Sequence, residues 1–337
     1  MALSNSSQVY HVMDKKLSDE RSELLADVAE QYFLEGKTQA QIAKFVGVTR
    51  SMVSRMITEA RGAGIVNIQI NRPLGLNKVL QRQLVKRFNL QDVYVISQRN
   101  IPPDRLKERL GQAGVFALRS YLKPGTVFGV TWGTTVSAVV EALDAEAFHE
   151  TETITVTQLI GALGAQNDQY DGHALVSSLQ KKFGGQAVYL NAPYLVENSD
   201  IAASFIKTRN VAEGLNMARQ TTVALMGVGS TDISTSSFYL AGYASKDDIL
   251  RMVEAGSVGD VCGFQVDEFG NRVYEDFQTR VIGIAMQDFL EIPVRIGVAG
   301  GSDKVLPLLG GLRAGYLNVL VTDADTAQQV LELDELK

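Results

Sequence analysis

Residues Thr38–Ala60 read TQAQIAKFVGVTRSMVSRMITEA, and their punctuation decides the front of the fold. Thr38 with Gln41 three residues on makes a capping box, so a helix starts there, and Ile42, Ala43 and Val46 give it one apolar face. Gly47 ends it, Val48 turns inward, and Thr49 caps a second helix. In that helix Val53, Met56 and Ile57 form the inner face, while Arg50, Ser51, Ser54, Arg55 and Thr58 point the other way. Upstream, Leu24, Leu25, Val28, Ala29, Tyr32 and Phe33 mark an amphipathic helix over Glu20–Glu35 that packs across the other two. The pattern is a helix-turn-helix. Its outer face is short, polar and cationic, fit to reach base edges in a major groove while neighbouring groups hold phosphates. Thr38, Gln39, Thr49, Arg50, Ser51, Ser54 and Arg55 are the candidate DNA-contacting residues.

Charge supports nucleic acid over a merely solvated hairpin. Between Gly36 and Leu90 there are ten basic residues and one acid, Glu59, a balance of +9, whereas the whole chain of 337 residues carries −6. The remainder is therefore strongly acidic, the asymmetry expected of a DNA-binding head on a body that should not adhere to DNA. Gly36-Lys37-Thr38 resembles the end of a phosphate-binding Walker loop, but Gln31 stands where its first glycine belongs and a helix precedes it.

The length implies two or three domains. Apolar residues at 45% and charged residues at 21% describe a globular chain with a sizeable core. No window is apolar enough to span a bilayer, and the N-terminus lacks a signal-peptide core, so a cytoplasmic protein without membrane attachment is expected. The lone Cys262 fits a reducing compartment. His11, His149 and His173 show no metal-ligand spacing, no nucleophile motif is complete, and no catalytic residue, metal or cofactor is assigned.

Residues 1–18 read as a mobile tail and 19–72 as the helix-turn-helix domain, ending in a short strand or wing at Ile65–Ile70. Over 73–90 lies a linker helix, after Arg72-Pro73-Leu74-Gly75. Its narrow stripe of Leu76, Leu80, Leu84 and Phe88, joined by Val79, suits packing on its own domain or on a dimer partner equally. From Asp92 onward short β-rich runs alternate with helical segments, among them Arg105–Leu122, His173–Phe183 and Asp303–Arg313. The runs are Val93–Ile96, Thr126–Val130, Ile154–Thr157, Ala187–Leu190, Thr222–Met226, Val281–Ile284, Val294–Val298 and Val319–Val321. The pattern predicts an α/β domain over 91–337, a doubly wound, mostly parallel sheet whose ligands bind outside the carboxyl ends of the strands.

Three glycine-rich strand-to-helix turns lie at such ends: Gly129–Thr135, Gly227–Asp232 and Gly297–Lys304. Each can serve only its own backbone geometry. Together, with backbone N–H groups, hydroxyls and a lysine, they suit a phosphate-bearing ligand. Trp132 fits a ligand cover or a core position. Asp260, in Ser257–Gly263, fits a sugar-hydroxyl acceptor or an ordinary turn cap.

The helix-turn-helix with Gly64–Ile68, then Val130–Thr135, Gly227–Gly229, Gly259-Asp260, Gly297–Lys304, Leu312–Asn318 and Leu320–Asp323 together resemble the SorC family of bacterial sugar-responsive transcription regulators, from about Leu24 to Leu331. That resemblance implies an effector domain related in fold to sugar-phosphate isomerases, glucosamine-phosphate deaminases and CoA transferases, and commonly a tetramer. It also implies phosphate contacts at Gly133, Thr134, Thr135 and Lys304 and a sugar-hydroxyl contact at Asp260; Gly227, Gly229, Gly300 and Gly301, from the glycine-rich turns, complete the candidate ligand site. The partners expected are a palindromic operator DNA bound by a dimer or tetramer, and a phosphorylated sugar or polyol. Residues 160–172 and 191–210 match no motif and are expected to help choose the ligand. The rival reading is a sugar-phosphate isomerase or deaminase carrying a DNA-binding head, with Lys304 as a catalytic group.

Overall fold

The Thr38 hydroxyl accepts the backbone N–H of Gln41, and the Gln41 side chain accepts that of Thr38 at 2.9 Å, so the capping box predicted from sequence starts its helix. The structure is a computed structural model that describes residues 21–66, 74–144, 146, 148, 150–163, 170–240 and 242–336. The chain divides into two units, Met1–Pro73 and Leu74–Lys337.

In the first unit, α1 (21–33), α2 (Gln39–Val46) and α3 (Arg50–Gly62) enclose one core. Leu25, Val28 and Ala29 of α1 meet Ile42 and Ala43 of α2 and Val53, Met56, Ile57 and Ala60 of α3. Gly47 ends α2 in the left-handed region (φ 77°), Val48 packs partly on the core, and the Thr49 hydroxyl accepts the Met52 N–H at 3.3 Å to start α3. Ile65 and Val66 also lean on this core. The rest of the expected wing, Arg72 and Pro73 of the linker and the 1–18 tail lie outside the described residues.

The second unit opens with α4 (Lys78–Phe88), capped by Asn77. Leu80 and Leu84 are buried in this unit's own core, while Val79 is exposed. Burying a leucine such as Leu84 contributes about 2 kcal/mol. Seven strands follow: β1 (Asp92–Ile96), β2 (Val127–Val130), β3 (Thr155–Gln158), β4 (Gln186–Val188), β5 (Val223–Gly227), β8 (Val294–Val298) and β9 (Val319–Asp323). All pair in parallel, in the order β1-β9-β8-β5-β2-β3-β4. Alternate side chains feed opposite faces, as strand geometry requires. Val93 and Val95 join one core with α4, α14 (Val305–Arg313) and α15 (Ala324–Glu335). Tyr94 and Ile96 join the other with α5 (Pro103–Leu118), α6 (Thr134–Ala142) and α7 (Gly172–Phe183). A sheet buried on both faces explains why its strands read as nearly continuous apolar runs.

Between β4 and β8 the chain adds pieces that sequence reading left unassigned. These are the helices α8 (Ser199–Ile206), α9 (Arg209–Ala218), α10 (Ser237–Leu240), α11 (Lys246–Glu254), α12 (Glu275–Gln278) and α13 (Met286–Glu291), and an antiparallel hairpin of β6 (Gly259–Val261) and β7 (Phe264–Val266). Seven of the eight expected strands form, but Val281–Ile284 does not. Its backbone alternates between loops: Ile282 donates to Tyr194, its carbonyl accepts from Gly161, and Ile284 donates to Leu159. With partners that change at each step it makes isolated bridges rather than a ladder.

Candidate functional site

The strand order brings the three glycine turns together. β2 leads outward to β3 and β4, whereas β5 leads the other way to β8 and β9, so the winding direction reverses between β2 and β5. Such a reversal leaves a crevice beyond the carboxyl ends of the strands. The turns after β2, β5 and β8 follow three adjacent strands, and a cavity of about 730 Å³ lies among them. Gly133, Thr134, Thr135, Gly227, Gly229, Asp260, Gly300, Gly301 and Lys304 all line it.

Gly133 precedes α6 at φ 139° and ψ 157°, a conformation reserved in practice for glycine, and Gly301 adopts nearly the same one at φ 104° and ψ 156°. No side chain caps the first turn of α6. Its leading N–H groups and positive dipole end, with Thr134 and Thr135 on the first turn, therefore present donors to the cavity. The turn after β8 is braced differently. The Gly301 N–H donates to the Asp323 carboxylate at 3.1 Å and to the Thr326 hydroxyl at 2.8 Å, while Asp323 also caps α15.

Lys304 supplies a cation. Its ammonium lies 3.3 Å from the Asp303 carboxylate, and its side chain is largely buried. Hydrogen bonds from Ser234, and then the charge of Lys304, hold the Asp232 carboxyl below its usual range. Asp260 faces the same lysine from the β6–β7 hairpin. Burial pushes its pKa up to about 6, against the opposing pull of the Gly263 N–H and of Lys304. Asp260 caps the hairpin, as the turn reading expects, by accepting the Gly263 N–H at 3.0 Å, and it also lines the cavity. The turn after β5 fits tightly against it. The Gly229 N–H donates to the Asp260 carbonyl at 2.8 Å, and a Cβ on Gly229 would stand 1.9 Å from the Asp260 carboxylate.

Trp132 is both packed on aromatic neighbours and set in the cavity wall: its ring lies edge-on to Tyr194 and Phe238, with centroids 5.4 and 5.1 Å away. Sequence reading missed Phe238, Tyr170, Lys107 and Ser234 on the wall. Ser234 follows β5 in the hydroxyl-rich run Ser230–Ser237, and Phe238 comes directly after that run, the one signal that marked them. Tyr170 lies in the 160–172 stretch that matched no motif; residues 164–169 lie outside the described residues. Cys262 lines the cavity too, but burial and then the Asp260 charge push its thiol well above the usual range. It is no nucleophile at neutral pH.

In the first unit the seven candidate DNA contacts divide by role. Thr38 and Thr49 cap α2 and α3, and Gln39 is half-buried. Arg50, Ser51, Ser54 and Arg55 are exposed on α3. Several cations are committed elsewhere. Arg21 makes a two-point pair with Glu59, Arg61 sits over the Phe33 ring, and Lys37 pairs with Glu35. Among the described residues of the unit, Lys44, Arg50 and Arg55 have no ion-pair partner. A cationic face with arginines left free is what phosphate and base contacts need.

Among the described residues no group of His, Cys, Asp and Glu could hold a metal ion, and no helix is long and apolar enough to cross a membrane.

A family model of a sugar-binding domain matches residues 73–332. The sorbitol operon regulator of Klebsiella pneumoniae is 28% identical, over 92% of this chain and 98% of its own. The transcriptional regulator LsrR of Enterobacter sp. (strain 638) is 28% identical, over 95% and 99%. The crystal structure of the full-length Klebsiella regulator aligns with a TM-score of 0.70 at 27% identity, covering 93% of this chain and 99% of that one. With a helix-turn-helix in front and a sugar-binding domain behind, the chain belongs to the SorC family of bacterial sugar-responsive, DNA-binding transcriptional regulators.

Proposed function

We propose that operator binding by this chain is controlled by a phosphorylated sugar or polyol held in the cavity at the ends of β2, β5 and β8. The phosphate rests on the first turn of α6, at Gly133, Thr134 and Thr135, with Lys304 as counter-ion, and Asp260 accepts a sugar hydroxyl. The effector is bound without turnover. The chain acts as a dimer or tetramer on a palindromic operator, and the occupied cavity shifts the spacing of the heads relative to half-sites about one helical turn or a multiple apart. Coupling of about 1–3 kcal/mol suffices for such control.

The observation that carries this reading is the convergence of three glycine turns, with Lys304 on one of them, on a single cavity. An open helix end and a lysine suit an anion, while carboxylates beside them suit hydroxyls. The name of one relative, a sorbitol operon regulator, points the same way.

A thermal-shift series with sugar and polyol phosphates tests it. One or more compounds should raise the melting temperature, and Lys304→Ala should remove that rise while operator binding without effector persists. Unchanged effector affinity in Lys304→Ala would move the phosphate elsewhere. Conversion of the same compounds to product would favour the enzyme reading.

A further inference from the structure

α3 presents one apolar side chain on an otherwise polar face. Met52, in its first turn, is 46% exposed, although its backbone N–H is fixed by the Thr49 hydroxyl. Its neighbours on that face are Ser51 and, three residues on, Arg55. The hydroxyls around it are partly spoken for: Ser51 is hydrogen-bonded to Thr49 at 2.9 Å, and Thr58 donates to the Ser54 carbonyl at 3.1 Å. The free groups of the face are therefore two arginines, the Ser54 hydroxyl and a thioether side chain. Arginines take phosphates or guanine edges. A methionine takes neither, and left in water it gains nothing from its position. The groove edge of DNA offers one apolar group, the 5-methyl of thymine.

Building on the proposed operator binding, we infer that Met52 is a specificity-determining residue that packs on a thymine methyl in each half-site, beside the contacts made by Arg50 and Arg55. Its unbranched side chain lets it settle on the methyl without a fixed rotamer. The pairing discriminates thymine from cytosine at that position by shape and desolvation.

The probe is a duplex enriched from a random-sequence pool by the full chain. Each thymine is then replaced in turn by deoxyuridine, which deletes the methyl and keeps every hydrogen-bonding group. At one thymine per half-site the wild type should lose about fourfold in affinity, the worth of one buried methyl. Met52→Ala should bind both duplexes alike, and Met52→Leu, again apolar, should recover the difference. A wild type indifferent to every replacement overturns the inference, and so does a Met52→Ala variant that still feels the methyl. A pool that yields no enriched duplex sinks operator binding itself, an outcome distinct from the other two because no sequence is retained.

Discussion

Asp260 answers to opposed influences: burial favours its neutral form, while the Gly263 N–H and Lys304 favour the carboxylate. Burial wins, and its pKa of about 6 stands above the value of about 3.9 for an unfolded chain. Between those values the folded protein binds the proton and the unfolded chain does not, so this group adds stability as pH falls through about 6. Asp260→Asn keeps an acceptor for Gly263 and removes the titration. Melting temperatures at pH 7.5 and pH 5 should therefore show the wild type gaining on Asp260→Asn at the lower pH. Equal differences at both would deny the shift. The sequence made Asp260 conspicuous as a polar residue in an apolar stretch, yet left its role open. What settles its place is Cys262 and Gly263, both at positive φ (54° and 82°), in the tight turn that joins β6 to β7. Asparagine-glycine would have announced that turn; cysteine-glycine does not.

Three helices share one buried carboxylate. Asp334 of α15 accepts from Arg313 of α14 at 2.8 Å and also pairs with Arg87 of α4. Asp334→Ala would leave Arg313, itself mostly buried, without its counter-charge, and should cost about 3 kcal/mol of stability, read as a lower denaturant midpoint. None of this was legible, because the partners are far apart in sequence. By contrast, α2 and α3 were legible almost to the residue, since their caps are local: Thr38 with Gln41, and Thr49 with Met52. The β-rich runs were legible for the same reason. The hairpin was not, because three-residue strands show too little alternation. Val281–Ile284 misled because its apolar content reflects burial between loops at Leu159–Gly161 and Tyr194.

Across the molecule, charge separates the two tasks. A head with free arginines ahead of a strongly acidic body should bind DNA with a steep salt dependence. Arg55→Ala should weaken operator binding and make the slope of log K against log salt shallower by about 1 for each head engaged. An unaltered slope would take Arg55 off the phosphate backbone. The charge division could be counted from the sequence, and so could the parallel α/β class. The strand order could not, since it depends on which apolar edges meet. That order is what gathers Gly133, Gly229 and Lys304 into one cavity.

The same carboxylate clamp joins two helices that begin at the cavity wall. α14 starts immediately after Lys304 and α15 immediately after Asp323, and the two reach their far ends at Arg313 and Asp334, where Arg87 meets them. At about 1.5 Å per residue these are rods of roughly 14 and 18 Å. Both helices are thus tied at their far ends to α4, so Asp334→Ala would slacken the polar hold of α4 on two helices that begin at the cavity wall.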